Sequence, residues 1–233
     1  MNSDSSTSGS YQGRPADLDE SNFIRRNRTL HWARLGLSFV ILIASVAIIA
    51  CEAVPLRHYK VTAAWADAGL ALWPLNLDTR PTKAALACGC VIAVLNLAYI
   101  ATALLPSPHS RIKTLNTFSS ASAVAGFITA LTGVLFTLYP PSSTYPVGFS
   151  ENETLHSWTC KWGSSHNDIA TPIHFARDCA EMRTGFVLLG VLVGLEFIMG
   201  LVATVGSWMQ RGVARQRADE QHQLEKLEFS TKQ

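Results

Sequence analysis

Charge is what this chain of 233 residues has least of. Lys, Arg, Asp and Glu make up 15% of it while 48% is hydrophobic, and soluble domains carry about 25% charge. The net charge of +2 is too small for the basic footprint of a nucleic-acid-binding protein. The five cysteines form no C-x-x-C pair, which removes zinc-ribbon and thioredoxin readings. No G-x-x-x-x-G-K-[ST], H-E-x-x-H or G-x-S-x-G occurs, so the phosphate-cradling, zinc-hydrolase and serine-hydrolase signatures are missing. All seven histidines lie outside the long apolar runs, leaving a haem inside those runs without axial ligands. Residues 155–180 gather His156, Cys160, His166, Asp168, His174, Asp178 and Cys179, but at spacings that match no metal signature. Neither a catalytic residue, a cofactor nor a metal is expected, and the chain is not read as an enzyme.

What the sequence does have is four apolar runs, at about residues 35–54, 82–105, 115–139 and 184–208. About 20 apolar residues cross a bilayer core as a helix. The predicted fold is therefore an all-α membrane protein: a four-helix transmembrane bundle over residues 29–208 with two extracytoplasmic loops. Residues 1–28, rich in Ser, Asp, Gly and Arg, read as a disordered cytoplasmic tail. Residues 209–233 read as a charged cytoplasmic tail able to continue as helix for some turns. The first run lies too far from the start, and is too long, for a cleaved signal peptide. Asp78 or Thr79 is placed to cap the second span, with Pro81 in its first turn. The loop between the first two spans carries Trp65 and Trp73 in the stretch WADAGLALWPLNLD. It is too short to cross and too apolar for open solvent, so it is expected on the membrane surface or against the bundle's outer end.

Four spans put both termini on one side. That side holds 12 of the 19 Lys and Arg residues, and short basic flanks stay inside. Both termini are thus expected in the cytoplasm, with the protein in the plasma membrane or another membrane of the secretory pathway. The loop over residues 140–183 then faces outward. Its sequon, Asn152-Glu153-Thr154, becomes a glycosylation site. Cys160 and Cys179, the only cysteines of that loop, face an oxidising compartment and are expected to form a disulfide.

Inside the spans, small and polar residues mark the packing faces. Ser119, Ala123, Gly126, Ala130 and Gly133 recur at intervals of four, three, four and three, a seam that lets a second helix approach. Gly190 and Gly194 form a G-x-x-x-G on the fourth span, predicted as a second packing face. Asn96, Thr129 and Glu196 fall near mid-depth of spans two, three and four. Hydrocarbon offers them no hydrogen-bond partner, so a protonated Glu196 is expected to bond Asn96, with Thr129 nearby.

The stretch LWPLNLDTRPT (residues 72–82), followed after the second span by LLPSPHSR (residues 104–111), resembles a group of fungal four-span membrane proteins. The layout is similar to that of MARVEL-type proteins. That resemblance implies four helices, cytosolic termini and a role in membrane apposition or organisation, and it carries over no functional residue. Claudin-like proteins differ in having a cysteine pair in the first loop, and tetraspanins in having Cys-Cys-Gly in the large one. The expected function is structural or organising, through the lipid bilayer and through protein partners or a second copy of the chain. The alternative is a small transporter or channel subunit using Glu196 and Asn96.

Overall fold

The computed structural model describes residues 15–65, 69, 73–74, 77–105, 112–138, 153–163 and 174–231. They form five helices: α1 (Pro15–Ala63), α2 (Arg80–Leu104), α3 (Ile112–Leu138), α4 (Leu155–Gly163) and α5 (Phe175–Thr231). All but α4 contain a stretch long and apolar enough to cross a membrane, and the chain is an integral multi-pass membrane protein. Around the bundle, α1 touches α2 and α5, and α3 touches the same two. Thus α1 and α3 occupy one diagonal of a square, and α2 and α5 the other. The helices alternate in direction. The bundle therefore has a tail end, where α1 and α3 enter and α2 and α5 leave, and a cap end, where α4 sits.

Burial follows a seven-residue repeat in all four long helices. An unbroken stripe of buried positions runs through 34, 38, 41, 45, 48, 52 and 55 in α1; 82, 85, 89, 92, 96 and 99 in α2; 116, 119, 123, 126, 130 and 133 in α3; and 178, 182, 185, 189, 192, 196, 199, 203 and 206 in α5, with 35, 56, 81, 88, 100, 122 and 175 buried beside it. Alternating steps of three and four keep one stripe facing the neighbours in a left-handed bundle. The whole small-residue seam of α3 lies on this stripe. At Gly133 an added Cβ would stand 3.1 Å from Leu189 Cδ2 and 3.2 Å from Cys88 Sγ, so α3 approaches both of its neighbours there. The outer faces carry the large apolar side chains, among them Ile43, Val94, Ile128 and Val187, and meet lipid. Trp32 and Trp208 are exposed together at the tail end, where indoles anchor at the membrane interface.

Three features differ from expectation. Helix α1 starts at Pro15 and so occupies part of the stretch read as an unstructured tail. The sequence PADLDE puts proline at the first helical position and three acids in the next turn, which suits a helix N-terminus. It also runs through Pro55 to Ala63, past residue 54, the expected end of the first span. The lost backbone bond is offset by packing, since Leu56 and Tyr59 join Leu155, Met182 and Trp73 in a second core cluster. Gly190 and Gly194 are exposed, with nothing within 4 Å of an added Cβ, so they pack no helix of this chain. The periodicity marks a small face but not which way it points.

At the cap end the two connections hold each other. Asp78 N donates to Glu153 O at 3.0 Å and Leu155 N to Asp78 O at 3.3 Å. Asp78 Oδ1 accepts from Arg80 N at 2.8 Å at the start of α2, while Thr79 makes no side-chain cap. Thr154 Oγ1 accepts from Ser157 N at 3.1 Å and so caps α4. Trp73 donates from Nε1 to Thr62 Oγ1 at 2.7 Å and stacks edge-on against Tyr59 and Phe175, which places this part of the first loop on the bundle's outer end. Cys160 and Cys179 are joined in a disulfide that ties α4 to the first turn of α5. Asn152 lies outside the described residues.

Two measurements check this packing. Gly133→Leu is expected to cost about 1–3 kcal/mol through overpacking and to lower the thermal midpoint in detergent. Gly190→Leu, facing outward, is expected to leave the monomer's midpoint unchanged or slightly raised. Reduction of the disulfide removes a closure over a sequence separation of 19, worth about 3 kcal/mol in the chain-entropy picture. Non-reducing peptide mapping should recover the Cys160–Cys179 linked pair.

Candidate functional site: the polar core of the bundle

The buried stripes are more polar than the lipid-facing surfaces. They carry Arg34, Ser38, Ser45, Glu52, Thr82, Asn96, Asn116, Ser119, Asp178 and Glu196. Lipid is as apolar as leucine, so a bundle gains little by hiding leucine from it. It gains more by turning polar groups inward to find one another.

Three of these groups form layers down the bundle. Arg34 and Glu52 lie 18 residues apart on α1, about 27 Å along a helix axis, close to the thickness of a hydrocarbon core. They therefore stand near its two borders. Glu196 lies between them, since on α5 it is about midway between Gly185, which meets Glu52, and Gly206, which meets Arg34.

The middle layer crosses one diagonal. Asn96 Nδ2 of α2 donates to Glu196 Oε1 of α5 at 3.3 Å, and also to Ile92 O of its own helix at 3.0 Å. Asn96 and Glu196 are 3% and 2% exposed. The carboxylate has room because α3 presents Gly126, where an added Cβ would overlap it. Thr129 does not join the pair. Its hydroxyl donates to Ala125 O at 2.7 Å on the exposed side of α3, and Gly126 is the residue of that helix facing Glu196.

The tail-end layer crosses the other diagonal. Arg34 of α1 donates to Asn116 Oδ1 of α3, and from Nη2 to Val202 O at 3.1 Å and Ala203 O at 3.3 Å of α5. Gly206 leaves the space for its guanidinium. The side chains of Ser38, Tyr99 and Ser119 are buried at this level, and those of Tyr99 and Ser119 meet each other. The sequence places Arg34 among basic flanking residues and gives no sign that it turns inward.

The cap-end layer holds Glu52 of α1, 4% exposed, over Gly185 of α5, whose added Cβ would lie 2.8 Å from Glu52 Oε1. Beyond it His58 Nδ1 meets Asp178 Oδ1 at 2.9 Å. Glu52 falls two residues inside the expected end of the first span and, on the buried stripe of α1, is turned toward α5. Arg34, Glu196 and Glu52 thus each face a glycine on a neighbouring helix. Of the metal-ligand types gathered in the large loop, Cys160 and Cys179 are bonded to each other and Asp178 is taken by His58. His166 and Asp168 lie outside the described residues.

No family model, curated protein or solved structure matches the chain.

The Gly126–Glu196 contact predicts a coupled pair. Gly126→Ala should displace the carboxylate from Asn96 and cost about 1 kcal/mol, within the range measured for interhelical hydrogen bonds. In a Glu196→Ala background the same change should cost nothing or stabilise. A double-mutant cycle on unfolding free energy reads the difference, and additive effects would remove the contact from the account.

Proposed function

We propose that this protein is a membrane-organising scaffold: a four-span anchor with both termini cytoplasmic, whose tied cap and tails recruit partners, without catalytic activity of its own. The observation that carries this reading is the closure of both diagonals. Asn96–Glu196 fills the axis at mid-depth and Arg34–Asn116 fills it at the tail end. A bundle of four helices plugged by its own side chains is suited to holding loops and tails in place. The resemblance of the four-span layout to that of MARVEL-type proteins points to the same reading.

Proximity labelling from the tagged protein in its native membrane tests it. The expected result is a reproducible set of membrane neighbours that is lost when residues 209–233 or the Cys160–Cys179 cap are altered. Reconstituted vesicles supply the opposing test. No ion or proton flux above that of empty vesicles is expected, and Glu196→Gln should fold and accumulate nearly as the parent does. A flux that Glu196→Gln abolishes at unchanged abundance would replace the scaffold with a transporter. Asn152→Gln should migrate faster on a gel if the cap is lumenal. It is a better probe than a change at Thr154, which would also remove the cap of α4.

A further inference from the structure

Among the described residues, Glu52 is the one core carboxylate whose partner is not supplied by the bundle. Glu196 has Asn96 and Asp178 has His58. Among the described residues Glu52 accepts no hydrogen bond and forms no ion pair, although it is only 4% exposed. Burying a carboxylate without a counter-charge is costly. Glu52 also lines a cavity of about 230 Å³ at the cap end. The hydroxyl-bearing Thr82, Thr137 and Thr154 and the apolar Met182 and Phe186 form other parts of its wall.

We propose that this cavity is a binding site for a small primary ammonium group, with Glu52 as its counter-ion. The chemistry of the wall selects that class. One carboxylate is too few for a calcium or zinc site, which needs several anionic or imidazole ligands. An ammonium carries three donors. One meets Glu52, and threonine hydroxyls can accept the others: that of Thr137 is used as a donor, to Val134 O at 2.7 Å, which leaves its lone pairs free. A short alkyl stem then lies against Met182 and Phe186, whose ring adds a cation–π attraction. Glu52 and Glu181 both lie within electrostatic reach of Cys51, and Glu181 is paired with Arg177 at 2.8 Å, so Glu52 is the acid left unpaired at this end of the α1–α5 seam. His156 also lines the cavity, where burial and the nearby Arg183 guanidinium lower its pKa from the usual histidine value. Because the cavity lies at the border of the hydrocarbon, the ammonium can belong to a free amine or to an ethanolamine lipid headgroup.

The test uses the full chain purified in dodecyl maltoside and titrated with radiolabelled butylammonium. Saturable binding with one site per chain is expected, and 1-butanol, the uncharged analogue, should not compete. Glu52→Gln should weaken binding at least tenfold while leaving the disulfide and thermal midpoint intact. Thr137→Val, which keeps side-chain volume and removes a hydroxyl, should weaken it by a smaller factor. Adding phosphatidylethanolamine to the micelles distinguishes the sources. Competition assigns the site to the headgroup, and no competition assigns it to a free amine. Absence of saturable binding, equal binding by Glu52→Gln, competition by 1-butanol, or displacement by sodium at comparable concentration would each overturn the proposal. None of these outcomes depends on the scaffold reading, because the assay measures occupancy and not partners.

Discussion

The hydrogen bond from Asn96 to Glu196 spans a diagonal, and the rest of the bundle is arranged to let it form. Adjacent helices in a bundle pack about 8–10 Å apart, so helices on a diagonal are further apart than two ordinary side chains reach. Closing the gap takes a long acid on one side, an amide on the other, and helices drawn tightly around them. The residues of α3 that line this region are Ser119, Ala123, Gly126 and Ala130, all buried and all small. A larger residue at Gly126 would take the space of the carboxylate itself. The small seam therefore does two things at once: it sets the approach of α3 to its neighbours and it gives Glu196 somewhere to go.

The same trade recurs at each border. Arg34 occupies the volume beside Gly206, and Glu52 that beside Gly185. In a soluble protein such charges would be costly core residues, since water on the outside is the better solvent for them. Here the outside is hydrocarbon. A charge on the lipid face has no partner at all, and a charge in the core has helix carbonyls, amides and hydroxyls within reach. Arg34 shows how this works, with contacts to one amide side chain and two carbonyls near the end of the α5 span. Glycine on the facing helix is the cheapest way to admit a head group, since helix propensity matters less when the backbone is shielded from competing water.

This logic also explains which parts of the fold were legible in the sequence. The four crossings could be read because a bilayer demands length and apolarity, and both are local properties. The seam on α3 could be read because its repeat of three and four is unbroken and its residues are small. Glu196 and Asn96 could be paired because both sit at mid-depth, where isolation is most costly. Thr129 shares that depth, but depth does not fix azimuth, and its hydroxyl is satisfied within its own helix. Gly190 and Gly194 fail for the same reason: a small face is visible in sequence, while the neighbour that would fill it is not. Arg34 and Glu52 were not legible as core residues because each lies at a span border. There a charge is ordinary, and only the tertiary course of α1 turns it inward. Helix α1 continuing through Pro55 was similarly hidden, since the compensation comes from Leu155 and Met182, far along the chain.

The placement of the two border charges bears on orientation. Arg34 lies at the tail end, beside the basic segments that flank the spans, and Glu52 lies at the cap end with Asp178 and Glu181 nearby. The core thus repeats the bias of the flanks, cation toward the tails and acid toward the cap. If the tails are cytoplasmic, as proposed, the membrane potential, negative inside, favours Arg34 at its border and Glu52 at the other, because each charge then sits on its preferred side of the field. The reverse orientation would set both charges and the basic flanks against that field together. Arg34 belongs to both sets, as the last basic residue before the first span and as a core residue, so what the interior adds to the bias of the flanks is the acid Glu52 at the cap end.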